Sequence, residues 1–402
     1  MTTTSERTPE GAPQQAPHGG PQSWARHVPQ RISQSVFDGS PLRVVLLVDV
    51  HDGAQQQFLE AYEQLCNQVA SVPGHVSDQL CQSIENPSQW LITSEWESAP
   101  PFLTWVNSEE HVQMVRPLHN CVRDTRSLRF HIVRETGGPA AGGAPEDRRL
   151  QSAPRIGDGV IRHALTFTVK PGSERTVAEI LAGYTSPEPR VDDTTRLCRT
   201  SLFMHGNRVV RAIEVRGDLL AALRHVARQP EVRAVEEAIN PYLEQDRDLD
   251  DPESARVFFT RAALPAVHHV TTAEPTGRNG TDAADVERHA LFYPARPGCG
   301  MRLAELLARR DAAAGDPDGP VLRSTVFQRD DVVVRLIDVR GALDARAEAA
   351  LGVDEPGLAD ELAALLDTDA LGADAPAGSG AAAGLLGRAH MDLITDRSAP
   401  DA

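Results

Sequence analysis

Leu42 to Val50 holds an unbroken aliphatic run, Val44 to Val48, of a strand's length, which predicts a strand. After the Asp52-Gly53 turn the period changes, and Phe58, Tyr62, Leu65 and Val69 recur at helical spacing from Ala54 to Val69. Pro73-Gly74 ends that helix, and two alternating runs, His75 to Ile84 and Gln89 to Glu97, predict a hairpin across Asn86-Pro87. Ser98 is placed to cap a second helix that opens Ala99-Pro100-Pro101 and carries Phe102, Trp105, Val106, Val112, Val115 and Leu118. Leu128, Phe130 and Ile132 alternate in a closing strand from Ser127 to Arg134. The order is β-α-β-β-α-β, the ferredoxin-like split plan.

The later chain repeats itself. Arg162-His163-Ala164-Leu165 recurs as Arg288-His289-Ala290-Leu291, followed at equal distance by Pro171-Gly172 and Pro297-Gly298. Arg211 to Gly217 likewise matches Arg335 to Gly341. The first unit fits the same frame, with Arg43, Gly53 and Phe58 falling on Arg162, Gly172 and Val177, and Ser94-Glu95-Trp96 lying opposite Ile213-Glu214-Val215 and Ile337-Asp338-Val339. The expected fold is therefore α+β, three ferredoxin-like β-α-β-β-α-β units. A Pro-, Gln-, Gly- and Ser-rich tail covers 1–40, and the units span 41–135, 159–265 and 286–397. Linkers fall at 136–158 and 266–285, final strands at Arg256 to Thr260 and Ala389 to Thr395, and a low-complexity insert near 368–384.

Charge narrows the partners. With 40 basic and 57 acidic residues the net charge is −17, spread along the chain, which argues against nucleic acid or an anionic membrane as a partner. The five cysteines include no C-x-x-C pair, so neither a disulfide framework nor a thiolate metal site is expected, and free thiols suit the cytoplasm. No apolar run reaches a membrane span.

Standard signatures for dinucleotides, phosphate loops, zinc proteases and serine hydrolases are absent from the sequence. Enzyme chemistry here would need no metal, nucleotide or covalent nucleophile. One reaction class runs that way: an anthrone or polycyclic phenol gives up a proton, and its anion passes an electron to O2 in an apolar pocket that holds the enolate oxygen. The stretch from Asn86 to Trp96 suits such a pocket, since Trp90, Ile92, Ser94 and Trp96 share one strand face and Asn86 has the same parity. The same face equally suits a core.

The unit from Leu42 to Glu135 resembles the antibiotic biosynthesis monooxygenase family, cofactor-independent oxygenases of dimeric α+β barrel type. The later units, with Arg-His-Ala-Leu, Pro-Gly and Asp/Glu-Val-Arg-Gly, resemble the SchA/CurD-like domains of aromatic polyketide and spore-pigment pathways. These resemblances imply a homodimer that hydroxylates a small aromatic polyketide with O2 as co-substrate and no cofactor. In the anthrone-oxidising members an asparagine is followed four residues on by tryptophan and six further on by an aromatic, usually tyrosine; Asn86, Trp90 and Trp96 stand at those spacings. By that resemblance Asn86 holds the substrate oxygen or bound oxygen species and Trp90 lines the pocket. Trp96 replaces the tyrosine, and its indole cannot act as a phenol-like acid. His111 is then the nearest proton-transfer candidate, with Trp105, His163 and His289 as possible substrate contacts. A polyketide cyclase using His163 or His289, or a non-catalytic polyketide-binding protein, are the competing readings.

Overall fold

The computed structural model describes residues 31–135, 157–245, 247–248, 251–272, 286–313, 321–343, 347–353, 357–371 and 381–399. Residues 1–30, including Trp24, most of both expected linkers and 372–380 of the expected insert lie outside them. The first strand, β1 (Arg31–Ser35), falls in the stretch expected to be a tail, and it pairs along a later strand.

The first segment runs β2 (Leu42–Val50), α1 (Gln55–Val69), β3 (His75–Gln82), β4 (Gln89–Trp96), α2 (Ala99–Val106), α3 (Glu109–His119) and β5 (Val122–His131). Its strands form an antiparallel sheet in the order β3-β4-β2-β5, with Val48 opposite Trp90 and Leu42 opposite Trp96. The expected second helix is broken at Asn107-Ser108. Ser108 starts a new helix, its hydroxyl accepting from the His111 backbone N–H at 3.1 Å, with Glu109 and Glu110 in the first turn where the helix dipole favours acids.

The second segment runs β6 (Val160–Thr168), α4 (Glu174–Gly183), β7 (Arg196–His205), β8 (Arg208–Arg216), α5 (Leu219–Ala227), α6 (Pro230–Ile239), α7 (Pro252–Ala262) and β9 (Ala263–Thr272). The third runs β10 (Val286–Pro294), α8 (Gly300–Ala313), β11 (Val321–Arg329), β12 (Val332–Arg340), α9 (Ala347–Leu351), α10 (Leu358–Leu365), α11 (Ala381–Ala389) and β13 (His390–Ser398). The strand expected from Arg256 to Thr260 is helix α7 instead. Pro252 suits a first turn, and the Ser254 N–H donates to the Asp251 carboxylate at 3.3 Å. The closing strand is β9, so the His268-His269 pair expected in a linker is buried in a sheet.

Strands of the second and third segments close on each other as an eight-stranded antiparallel barrel, β9-β11-β12-β10-β13-β7-β8-β6 and back to β9, with β1 added along β9. The last strands stitch the halves together. β9 pairs with β6 through Ala263 to Pro265 and with β11 from Ala266 on. β13 pairs with β10 through His390 and Met391 and with β7 from Asp392 on. Pro265, which has no N–H to donate, falls where β9 changes partner.

A charged network crosses the barrel interior. Arg288 donates to Asp338 at 2.7 and 3.1 Å and to Glu214, on the opposite half, at 2.7 Å. Burial alone would raise the Asp338 carboxyl, but Arg288, Arg199 and Arg323 hold it below the usual carboxylate range. The first segment carries the same pair as Arg43 and Glu95, 2.6 Å apart, on a face open to solvent. Two large apolar side chains lie on that face, Leu47 43% and Phe130 51% exposed. Among the described residues no helix is long and apolar enough to cross a membrane.

Candidate functional site

A cavity of about 2140 Å³ lies between the helix-covered face of the first sheet and the β6–α7 side of the second segment. Its first-segment wall includes Val44, Leu46, Ile92, Tyr62, Trp105 and His111, with Arg129 projecting from β5. Its second-segment wall includes His163, Leu165 and Phe167 from β6 and Phe258 and Phe259 from α7.

The break at Ser108 sets the central contact. It folds α3 back on α2, so the His111 ring meets the Trp105 indole edge-on with centroids 4.3 Å apart. The His111 Nδ1 and the Trp105 Nε1 are buried and have no hydrogen-bond partner among the described residues. Burial lowers the His111 pKa to about 4, helped by the nearby charges of His119 and Arg129. The ring is therefore a neutral imidazole at pH 7, able to accept a proton.

Arg129 makes no ion pair or hydrogen bond among the described residues; its guanidinium sits over the Phe102 ring, 5.4 Å from the centroid. It opens onto the cavity, and desolvation by the surrounding walls lowers its pKa from the ordinary arginine value. Across the cavity, burial and then the Arg129 charge lower the His163 pKa to about 4, so this ring is also neutral. Tyr62 also lines the cavity. Burial, reinforced by its hydrogen bond with Cys66, raises the phenol well above its ordinary value and keeps it a donor.

The expected constellation is only partly here. Trp90, Ile92, Ser94 and Trp96 do share the helix-covered face of β4. Asn86 does not join them: it is exposed in the hairpin turn, and its carbonyl oxygen accepts from the Ser88 N–H at 3.2 Å and hydroxyl at 2.9 Å. A turn that consumes its own amide cannot aim it at a ligand. Trp96 is fully buried behind the wall, stacked on Trp105 and donating to the Ser94 hydroxyl at 3.0 Å. Trp90 is packing too, 5.4 Å from the Phe58 ring. His111, Trp105 and His163 reach the cavity. His289 does not, its Nδ1 lying 3.2 Å from His390 Nε2 on the neighbouring strand.

Arg129 and Tyr62 escaped the sequence reading. Tyr62 stands at one position of an amphipathic helix, and Arg129 falls between the alternating apolar positions Leu128 and Phe130. The sheet has the opposite sense at β5, where Phe130 faces out and Arg129 faces the cavity.

The chain is 60% identical over 375 residues to "Protein SchA" of Streptomyces halstedii, a match covering 93% of this chain and 97% of that one. It is 64% identical over 371 residues to "Polyketide synthase CurD" of Streptomyces cyaneus, covering 91% of this chain and 97% of that one. The chain belongs to the SchA/CurD family. Within this SchA/CurD-family chain, residues 160–272 match the SchA/CurD like domain and residues 41–117 the antibiotic biosynthesis monooxygenase family. Among solved structures, SnoaB of Streptomyces nogalater, a cofactor-independent oxygenase, is similar over 24% of this chain and 96% of its own, at 18% identity and a TM-score of 0.23.

Proposed function

We propose that this protein is a cofactor-independent monooxygenase that hydroxylates an aromatic polyketide, taking a phenolic or anthrone ring to a quinone with O2. The observation that carries the reading is the neutral His111 imidazole, unpartnered at Nδ1, beside the unpaired Arg129 guanidinium in a large apolar cavity. A neutral base removes a proton from the ring CH2 or phenol O–H, and the guanidinium stabilises the resulting enolate. The anion transfers one electron to O2. The carbon radical and superoxide combine, a proton makes the hydroperoxide, and loss of water leaves a carbonyl, so that CH2 and O2 become C=O and H2O. The names of the relatives, one of them a polyketide synthase, support the substrate class.

In this reading the chain comprises three copies of one unit, of which the second and third pair internally. The first, left with Leu47, Phe130 and its Arg43–Glu95 pair on an open sheet face, pairs with the first unit of another chain, giving a cytoplasmic homodimer with no nucleic acid or membrane partner. Light scattering that finds only monomer at micromolar concentrations contradicts the pairing.

The activity is tested by following O2 uptake and quinone absorbance with metal-free protein and an anthrone, under air and under argon. Turnover that needs added flavin or iron rejects the oxygenase reading. O2-independent ring closure supports the cyclase instead, a second reading favoured by the pair of neutral imidazoles, His111 and His163, on opposite walls.

A further inference from the structure

The cavity is more than the first segment needs. Pockets for small organic ligands run to about 300–1,000 Å³, and this one exceeds that range because it continues without a partition into the second segment. There it is lined by an aromatic wall, with the Phe167 and Phe258 rings 6.2 Å apart, and by the His163 ring.

The third segment offers an internal control. Its histidine at the matching position, His289, is engaged with His390. Behind its sheet the buried Arg335 donates to Asp311 and, at 3.0 Å, to the Ser324 hydroxyl, much as the matching Arg211 donates to Glu236 in the second segment. Helices α8 and α10 seal that side, with Leu307 and Leu362 buried. Of the two related segments, the one whose histidine is free to meet a ligand is the one that faces Arg129.

We propose that the ligand site is shared: a planar polycyclic aromatic bearing an anionic oxygen lies between the Trp105–His111 wall and the His163–Phe167 strand, with Arg129 on its oxygen anion. The monooxygenase-like segment is then incomplete without the segment fused to it. Three observations converge on this. Arg129 has no ion pair or side-chain hydrogen bond among the described residues, its cation faces the gap between the segments, and its field reaches both His111 and His163. An anionic oxygen there gains a charge-assisted hydrogen bond. The aromatic side chains on both walls suit a flat ring system. The proposal rests on the aromatic substrate class of the reading above, though not on oxygen chemistry.

The test is ligand binding under argon to the full chain, read by quenching of indole fluorescence and by calorimetry. The probes are anthraquinone-2-carboxylate, 2-hydroxyanthraquinone and the neutral 2-hydroxymethylanthraquinone. Arg129→Gln is expected to weaken the carboxylate about tenfold or more and the neutral probe less than about twofold. The hydroxy probe separates phenolate from carboxylate recognition, since its affinity should rise as the phenol ionises only if Arg129 takes a phenolate. His163→Asn and Phe167→Leu should each weaken all three probes about fivefold or more, while His289→Asn, the matching change in the third segment, leaves them unchanged. If His163→Asn does not fold, Phe167→Leu decides alone. Binding that ignores both His163→Asn and Phe167→Leu overturns the shared site, as does an equal loss for charged and neutral probes in Arg129→Gln. Tight, His163-dependent binding without O2 uptake rejects the oxygenase reading and leaves the shared site standing.

Discussion

Arg288→Ala is expected to cost the barrel about 3 kcal/mol, and the number follows from what the side chain holds. Arg288 is 7% exposed and Asp338 4%, and the guanidinium bonds Asp338 twice, Glu214 once and the Ser201 hydroxyl at 3.3 Å. Removing one partner of a buried ion pair costs about 3–5 kcal/mol, because the other charge stays buried. Arg199 and Arg323 lie 3.6 and 3.7 Å from Asp338 and offset part of the loss, which puts the expectation at the lower end. The matching change in the first segment, Arg43→Ala, removes a pair whose arginine side chain is 46% exposed, and is expected to cost the monomer no more than about 1 kcal/mol. Urea unfolding followed by far-UV circular dichroism gives both values from the shift in midpoint at unchanged slope. Indole fluorescence is weighted toward the first segment, where Trp90, Trp96 and Trp105, three of the four tryptophans, lie. A loss below about 1 kcal/mol for Arg288→Ala, equal to that of Arg43→Ala, would refute the claim that the barrel interior is sealed around this network.

Acid should destabilise the protein: the unfolded chain protonates its histidines near pH 6.5, whereas the folded state holds His111 and His163 neutral to about pH 4 and His269 to about pH 3. Stability is thus complete above about pH 6.5 and lost as pH falls from there toward 4, by up to about 3 kcal/mol per ring, and a melting temperature flat from pH 7 to 5 contradicts it. Gly217→Ala should cost several times more than Gly341→Ala: both have positive φ, +95° and +79°, but a Cβ at Gly217 meets the Thr194 carbonyl oxygen at 2.5 Å while one at Gly341 meets nothing within 4 Å. Thermal melts compare the two, with about 1 kcal/mol expected for Gly341→Ala. In the O2-uptake assay His111→Asn should lower kcat about a hundredfold or more while Asn86→Ala changes it less than about twofold, and the reverse ranking returns the site to the hairpin.

Much of the fold was legible because the local signals were strong. The hairpin register around Asn86, the α1 helix and the repeat of Arg-His-Ala-Leu and Asp/Glu-Val-Arg-Gly all correspond to elements that form. The errors fall where one local pattern fits two structures. Val257-Phe258-Phe259 is a β-like run, but Asp251-Pro252 upstream nucleates a helix, and Phe258 packs on the core from α7. Pro265 reads as a strand breaker, yet it falls at a change of pairing where no donor is missed.

The site was harder to read for a reason of geometry. Period-two alternation separates two faces of a strand without saying which faces the helices. On β5 the apolar phase, Leu128 and Phe130, lies on the open face with Leu47, and the polar phase, Ser127 and Arg129, lines the cavity. Such an inversion makes sense only if the open face is itself destined for burial, since exposed Leu47 and Phe130 otherwise favour aggregation. In the second and third segments the same strand face carries Arg162, Ala164, Arg288 and Ala290, and there the two faces bury each other. The cavity-facing arginine and the open sheet face are therefore linked: a cation is spared for the cavity wall because Leu128 and Phe130 lie on the other face of β5, the face that the proposed homodimer would bury.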